Sequence, residues 1–412
     1  MDDISIEKIR GDFPVINRLV KGKPIIYFDN ACQSLVPRQV IDEIVDYYNN
    51  YSSCAGRSIH YLSTQVSIKF EASRDRAAKF FNTRSNEIVF VRNTTEGINL
   101  VARSYPFEKG DVVLTTDREH NSNLSIWHVL KEEKGIIHRA VPSKEDNLFD
   151  IEAFKEMVDS KVKMISMAHV SNLDGVEIPV KDIIDIAHSR NIPVMLDGAQ
   201  AAPHMKIDLK KMDVDFYSVS LHKMCGPTGT GILYGRYDLL KNLKPFIVGG
   251  STVSDTFIDK TVFLDPPERF EAGLQNYANV IASAKSFDYL CNIGMDVINE
   301  RVKELNKIIT NGLKDIPEIS IIGPLDSDLR SGIFPFNIKG MSPHDVAMIL
   351  DEFENIYIRS GRHCDHSWFN KKGISGSARA SLQFYNTKEE AKKFVDTIIK
   401  IIDNFSKIKK ND

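Results

Sequence analysis

An acid and an amine stand at the ends of two apolar runs, Asp197 in VMLDGAQ and Lys223 in FYSVSLHKMCGPTGTG. A lysine between an apolar strand and a glycine-rich turn is partly desolvated. That disfavours its charged form and makes the amine a nucleophile toward aldehydes. An acid at a second strand end completes the requirement of pyridoxal phosphate, which needs an amine for its aldehyde and a carboxylate for its pyridinium nitrogen. Taken singly, each residue has a plainer reading, a surface lysine and a helix-capping aspartate. Phosphate donors stand in VRNTTEGINL, where a strand ending at Val91 runs into Thr94 and Thr95 at a helix N-terminus, a ready anion site. N-capping by Asn93 or Thr94 accounts for the same residues. His120 in DREHNSN could stack on an aromatic ring or shuttle protons, or be a satisfied structural histidine. Asn172 in HVSNLDG lies similarly, with turn formation as its alternative. The Gly226–Gly231 run is neither a Walker loop nor GxGxxG and gives little support for a nucleotide.

A second kind of chemistry is offered by IRSGRHCDHSWF, which places Cys364 between His363 and His366 behind a basic turn. Three borderline ligands resemble half of a zinc site, but structural zinc needs four, closed by a second segment. Neither CxxC nor HxxxH occurs elsewhere, so no metal is expected. The five cysteines are Cys32, Cys54, Cys225, Cys291 and Cys364. None is arranged for a disulfide framework, and reduced thiols are the default. A thiol beside Arg359, Arg362 and His363 has a positive setting that favours the nucleophilic thiolate.

These residues need a scaffold that brings strand ends together. Short β-rich runs alternate with amphipathic helical patterns from about residue 25 to 235. Expected strands are Ile25–Phe28, Ile88–Val91, Val112–Thr115, Met164–Ala168, Val194–Leu196, Phe216–Ser220 and Ile232–Tyr234. Helical spacing over 180–190 puts Val180, Ile183, Ile184 and Ala187 on one face. The alternation predicts an α/β layer with a mainly parallel sheet, whose ligands sit beyond the carboxyl ends of the strands. After Gly294 the pattern becomes that of a smaller α+β domain. It has a helix opened by Ser342 and Pro343 and a last helix with a Thr387/Glu390 capping box. The expected division is an N-terminal segment 1–19 packed with the small domain, a large cofactor-binding domain 20–290 and a small domain 291–412 carrying Cys364. A net charge of -3 argues against a nucleic-acid partner. No run nears the roughly 18 apolar residues of a membrane span. The start, MDDISIEKIR, is not a secretory signal, so a cytoplasmic protein is expected.

Nine motifs in order (YFDNA, RSIHYLS, TTEGINLVA, EHNSN, VSNLDG, DGAQA, SLHKMCGPTGTG, FEAG and RASLQFYNT) cover most of the chain, from about Tyr27 to Thr387. In them the chain resembles the class V aminotransferase family of fold-type I pyridoxal-phosphate enzymes, and within it the SUF-type cysteine desulfurases. The resemblance implies a fold-type I transferase that converts L-cysteine to L-alanine and delivers sulfur for iron–sulfur cluster assembly. Lys223 would bond the cofactor, Asp197 pair with the ring nitrogen and His120 stack on the ring. Asn172 and Gln200 would contact the phenolic oxygen. Thr95, Ser220 and His222 would hold the phosphate, with Thr94 adding its backbone. Arg379 would clamp the substrate carboxylate, with Arg359 nearby, and Cys364 would receive the sulfur as a persulfide. The family implies a homodimer, with residues 249–276 as the loop given to the partner, and a sulfur-acceptor protein or scaffold. The loop after Cys364, HSWFNKKGISGS, looks long enough to be mobile. A lyase acting on selenocysteine or cysteine sulfinate, another enzyme of the same family, and a non-catalytic sulfur carrier are the alternatives. Several positions depart from the family pattern. Leu274 stands where threonine is usual, Asn121 and Arg362 replace histidines, and NACQ replaces a sequence beginning Ala-Ala-Thr.

Overall fold

The computed structural model describes residues 3–411; residues 1, 2 and 412, which belong to the expected terminal segments, lie outside it. Seven strands form the large sheet: β1 (Ile88–Val91), β2 (Val112–Thr116), β3 (Ile137–Val141), β4 (Val162–Ala168), β5 (Val194–Asp197), β6 (Phe216–Ser220) and β7 (Gly231–Gly235). Their order is β1-β7-β6-β5-β4-β2-β3. β7 is antiparallel to both neighbours, and every other pairing is parallel. Apolar side chains on both faces of the sheet are covered by helices, so the strands read as continuous apolar runs. β3 (IHRAV) escaped sequence reading: it is an edge strand whose half-exposed residues include a histidine and an arginine.

The small domain holds a four-stranded antiparallel sheet of β8 (Ile319–Ile321), β9 (Ile333–Ile338), β10 (Arg359–Gly361) and β11 (Ser377–Ser381), ordered β8-β9-β11-β10. Its helices begin where their caps require. Ser342 accepts the Asp345 N–H ahead of Pro343–Glu354. Thr387 and Glu390 bond reciprocally, each at 3.0 Å, at the head of the last helix.

The Ile25–Phe28 run, expected in the large sheet, belongs elsewhere. Ile26–Tyr27 pairs with Ile356–Tyr357, and Ile26 and Phe28 lie in the small-domain core. Apolar content alone could not reveal which sheet a two-residue strand joins. The N-terminal helix (Asp3–Gly11) and the turn after it sit at the junction of the two layers. Phe13 packs on Tyr289, Phe384 and Tyr385, while Arg10 pairs with Glu390. No helix among the described residues is long and apolar enough to cross a membrane.

Candidate active site

The carboxyl ends of β4, β5 and β6 open on one cavity of about 190 Å³. Around it the structure gathers Thr94, Thr95, His120, Asn172, Asp197, Gln200, Ser220, His222 and Lys223 from the large sheet and its loops. Arg359, Cys364 and Arg379 reach it from the small domain. Ala31 and Cys32, from the N-terminal turn, complete the wall.

Close packing sets the positions of these groups. The helix Thr94–Ser104 rests on the sheet at Gly97, where a Cβ would lie 2.2 Å from Ser218 Oγ. That contact brings the helix N-terminus to the cavity. Thr94 N donates to Ser220 Oγ (2.9 Å), and Thr95 Oγ1 bonds Ser122 Oγ (2.7 Å). Gly198 follows Asp197 because any Cβ there would strike the Tyr217 ring at 2.1 Å.

Lys223 is half-buried as a residue, yet its ammonium lies deep in the cavity. Burial lowers its pKa, partly offset by Asp197, and the Arg379 charge lowers it further. Burial also raises the Asp197 carboxyl, against the Ala199 N–H (2.9 Å) and the Lys223 charge. A buried carboxylate in this position gains most from a cationic partner. His120 accepts the Ser122 N–H on Nδ1 (3.1 Å), and burial, with the charges of Lys223, Arg379 and Arg359, pushes its pKa down to about 3. It is a neutral imidazole. Burial likewise takes His222 to about 4.

Arg379 and Arg359 face each other as register partners across β11 and β10. Arg379 NH1 donates to Asn172 O at 2.7 Å, while its buried Nε has no hydrogen-bond partner among the described residues. The same is true of Gln200 Oε1, whose Nε2 donates to Ala31 O at 2.8 Å. Open polar atoms over an acid, an amine and a helix N-terminus fit a polar, phosphate-bearing aromatic group such as pyridoxal phosphate.

The Cys364 loop differs from its sequence reading in two respects. It is short and anchored, because His366–Lys372 is a helix with Trp368 and Phe369 buried. His363 and Cys364 both adopt left-handed backbone (φ +50 and +66), held by Asn172 Nδ2 on His363 O (2.8 Å) and Asn121 N on Cys364 O (2.7 Å). The positive setting is also thinner than expected. His363 is buried against Ser377 and pushed to about 2, chiefly by burial, so it is neutral. Arg362 turns to Ser375 O and Asn370 Oδ1, tying the helix to the following loop. Arg359 is the member of that trio whose charge faces the cavity.

Asn172, expected on a phenolic oxygen, instead points its amide hydrogens at His363 O and Asp365 Oδ2. Asp365 itself was missed: it is fully buried and its pKa is raised well above the ordinary carboxyl value by burial. Glu119 was missed too. Buried and next to His120 in the chain, it is pushed up to about 7 by burial and accepts from Thr116 and from Asn123. Acids adjoining two motif residues were the available signal, but sequence cannot tell a buried acid from a solvated one.

The chain matches the family model described as Aminotransferase class-V over residues 26–394. It belongs to the class V aminotransferase family. Similar members include a protein named probable cysteine desulfurase from Synechocystis sp., 39% identical with 97% of this chain and 96% of that one covered. Another is a cysteine desulfurase from Haloferax volcanii, 37% identical over 96% of both chains. Among solved structures, a cysteine desulfurase from Thermococcus onnurineus NA1 superposes with a TM-score of 0.92 at 35% identity, covering 97% of this chain and 98% of that one. The two-layer architecture here is therefore that of a family fold, with the cavity where its layers meet.

Proposed function

We propose that this chain is a pyridoxal-phosphate-dependent cysteine desulfurase that converts L-cysteine to L-alanine and takes the sulfur on Cys364. The observation that carries the reading is a thiol, Cys364, lining the same cavity as a buried amine, Lys223, and an arginine with an open edge, Arg379. When bound, pyridoxal phosphate supplies an electron sink for the bond to the amino acid's Cα proton. Thr94, Thr95, Ser220 and His222 would hold its phosphate, Asp197 its ring nitrogen and Gln200 its phenolic oxygen, with the His120 ring over its face. Asn172 is reassigned from that oxygen to the Cys364 loop, since its donors are already engaged there.

Lys223 Nζ, its pKa lowered by burial, is the base that takes the Cα proton and later returns it. Arg379 orients the substrate carboxylate with the fork of Nε and NH2, a geometry that suits guanidinium better than ammonium. Cys364 Sγ then attacks the substrate sulfur. The new S–S bond forms as the Cβ–S bond breaks, the electron pair stays with the carbon skeleton, and protonation makes the alanine methyl. The hydrogen lost by the Cys364 thiol balances the one gained there.

A homodimer and a sulfur-acceptor protein belong to the same reading, with delivery to iron–sulfur assembly as its destination. Exposed Ile59, Tyr61, Val248 and Leu274 supply apolar surface for a second copy around the 249–276 loop. Five free cysteines agree with a reducing, cytoplasmic setting. The domain limits 20–290 and 291–412 are part of the proposal, the cavity lying between them. The test is incubation of the cofactor-loaded protein with L-cysteine, followed by alanine quantification and mass analysis of the Cys364 peptide. Alanine formed at the wild-type rate by Cys364→Ala would overturn the role of that thiol.

A further inference from the structure

Of the five thiols, two line one cavity. Cys32 and Cys364 share the wall that includes Lys223 and Arg379, whereas Cys54, Cys225 and Cys291 are not part of it. Cys32 sits at a fixed point of the backbone. Its N–H closes a turn on Asp29 O (3.2 Å), and the preceding Ala31 is held by Ser381 Oγ on its N–H (2.9 Å) and Gln200 Nε2 on its carbonyl (2.8 Å). Both side chains line the same space as the Lys223 amine and the Arg379 guanidinium. Both thiols are half-buried, open to the cavity without lying free on the surface. The buried Arg379 Nε and Gln200 Oε1 of the same wall, assigned above to the substrate and the cofactor, have no hydrogen-bond partner among the described residues.

We propose that Cys32 is a second sulfur site, which takes the outer sulfur of the Cys364 persulfide by exchange inside the cavity. The inference rests on the desulfurase reading, which supplies that persulfide. Cys32 thiolate attacks the outer sulfur, a new S–S bond forms on Cys32, and the bond between that sulfur and Cys364 Sγ breaks. Cys364 leaves as the thiolate and takes up the proton that Cys32 released. One thiol and one persulfide stand on each side, so no oxidant or reductant is required. Arg359 and Arg379 give the anionic sulfur a cationic counterpart in the same space. The exchange clears Cys364 for another turnover while the first sulfur stays in the cavity.

The cofactor-loaded full chain is mixed with excess L-cysteine without reductant and quenched at intervals with iodoacetamide. The Cys32 and Cys364 peptides are then weighed for one added sulfur each. Sulfur is expected on Cys364 first and on Cys32 later. Cys32→Ala, whose smaller side chain the turn accommodates, is expected to hold roughly half the sulfur per chain, all on Cys364. In Cys364→Ser, Cys32 is expected to stay unmodified. A wild-type protein that labels Cys364 but never Cys32 overturns the proposal, whatever the variants do. So does a Cys32–Cys364 disulfide in place of a Cys32 persulfide, or labelling of Cys32 at an unchanged rate in Cys364→Ser. Absence of both alanine and sulfur on Cys364 would instead overturn the desulfurase reading on which it rests.

Discussion

Arg379→Lys tests how the cavity holds its substrate. The guanidinium is buried and already divided: NH1 is fixed by Asn172 O at 2.7 Å, NH2 lies 3.9 Å from Asp29 Oδ1, and Nε has no partner. A carboxylate can therefore be met side-on by Nε and NH2 together while NH1 keeps the Asn172 contact. Lysine ends in a single ammonium that cannot serve both the carbonyl and a two-point carboxylate contact. One charge-assisted hydrogen bond is lost, about 1.5–3 kcal/mol. That corresponds to roughly a 10–150-fold fall in kcat/KM for L-cysteine. Because the clamp grips substrate and transition state alike, most of the fall should appear as a raised KM. The assay is alanine formation against cysteine concentration, with thermal melting as the control for folding. A variant that melts like wild type and keeps kcat/KM within about threefold would refute the clamp argument.

Two further substitutions probe the scaffold. Gly97→Ala forces a Cβ against Ser218 Oγ, so a stability loss of about 1–3 kcal/mol should accompany weaker pyridoxal-phosphate binding, read by absorbance titration, as Thr94 and Thr95 are displaced. Equal affinity in the variant would show that the helix N-terminus does not hold the phosphate. His138 is pushed to about 4, mainly by burial and then by the His128 and Lys131 charges. A histidine depressed on folding stabilises above its unfolded pKa, and that stability is lost as pH falls from about 6.5 toward about 4. His138→Gln removes the linkage, so across that window the variant should lose less stability than wild type, by at most about 1.4 kcal/mol per pH unit. Parallel melting curves from pH 7 to 4.5 would contradict this assignment.

Much of the site was legible because its chemistry depends on residue type and on strand ends, both of which a sequence displays. Asp197 and Lys223 close apolar runs that fold as β5 and β6, so their convergence followed from the rule for open α/β sheets. Caps were equally legible, since Ser342 and the Thr387/Glu390 pair bond within their own turns. What failed to show was long-range. Asn172 and the His363–Asp365 loop are about 190 residues apart in the chain, and their hydrogen bonds decide both where Asn172 points and how Cys364 is presented. The strand over Ile26–Tyr27 was recognisable by type but not by partner.

The sequence by itself determined the alternation of strands and helices and supplied an acid, an amine, a guanidinium and a thiol of the types that the proposed reaction uses. These depend on local pattern and side-chain chemistry. Only the tertiary structure decided that the loop after Cys364 is an anchored helix rather than a mobile strap, that His363 is neutral and that Arg362 faces away. It also brought Cys32 into the same cavity, although Cys32 and Cys364 are more than 300 residues apart in sequence. Burial and the pairing of distant segments set charge state and direction, and neither quantity is carried by any single stretch of the chain.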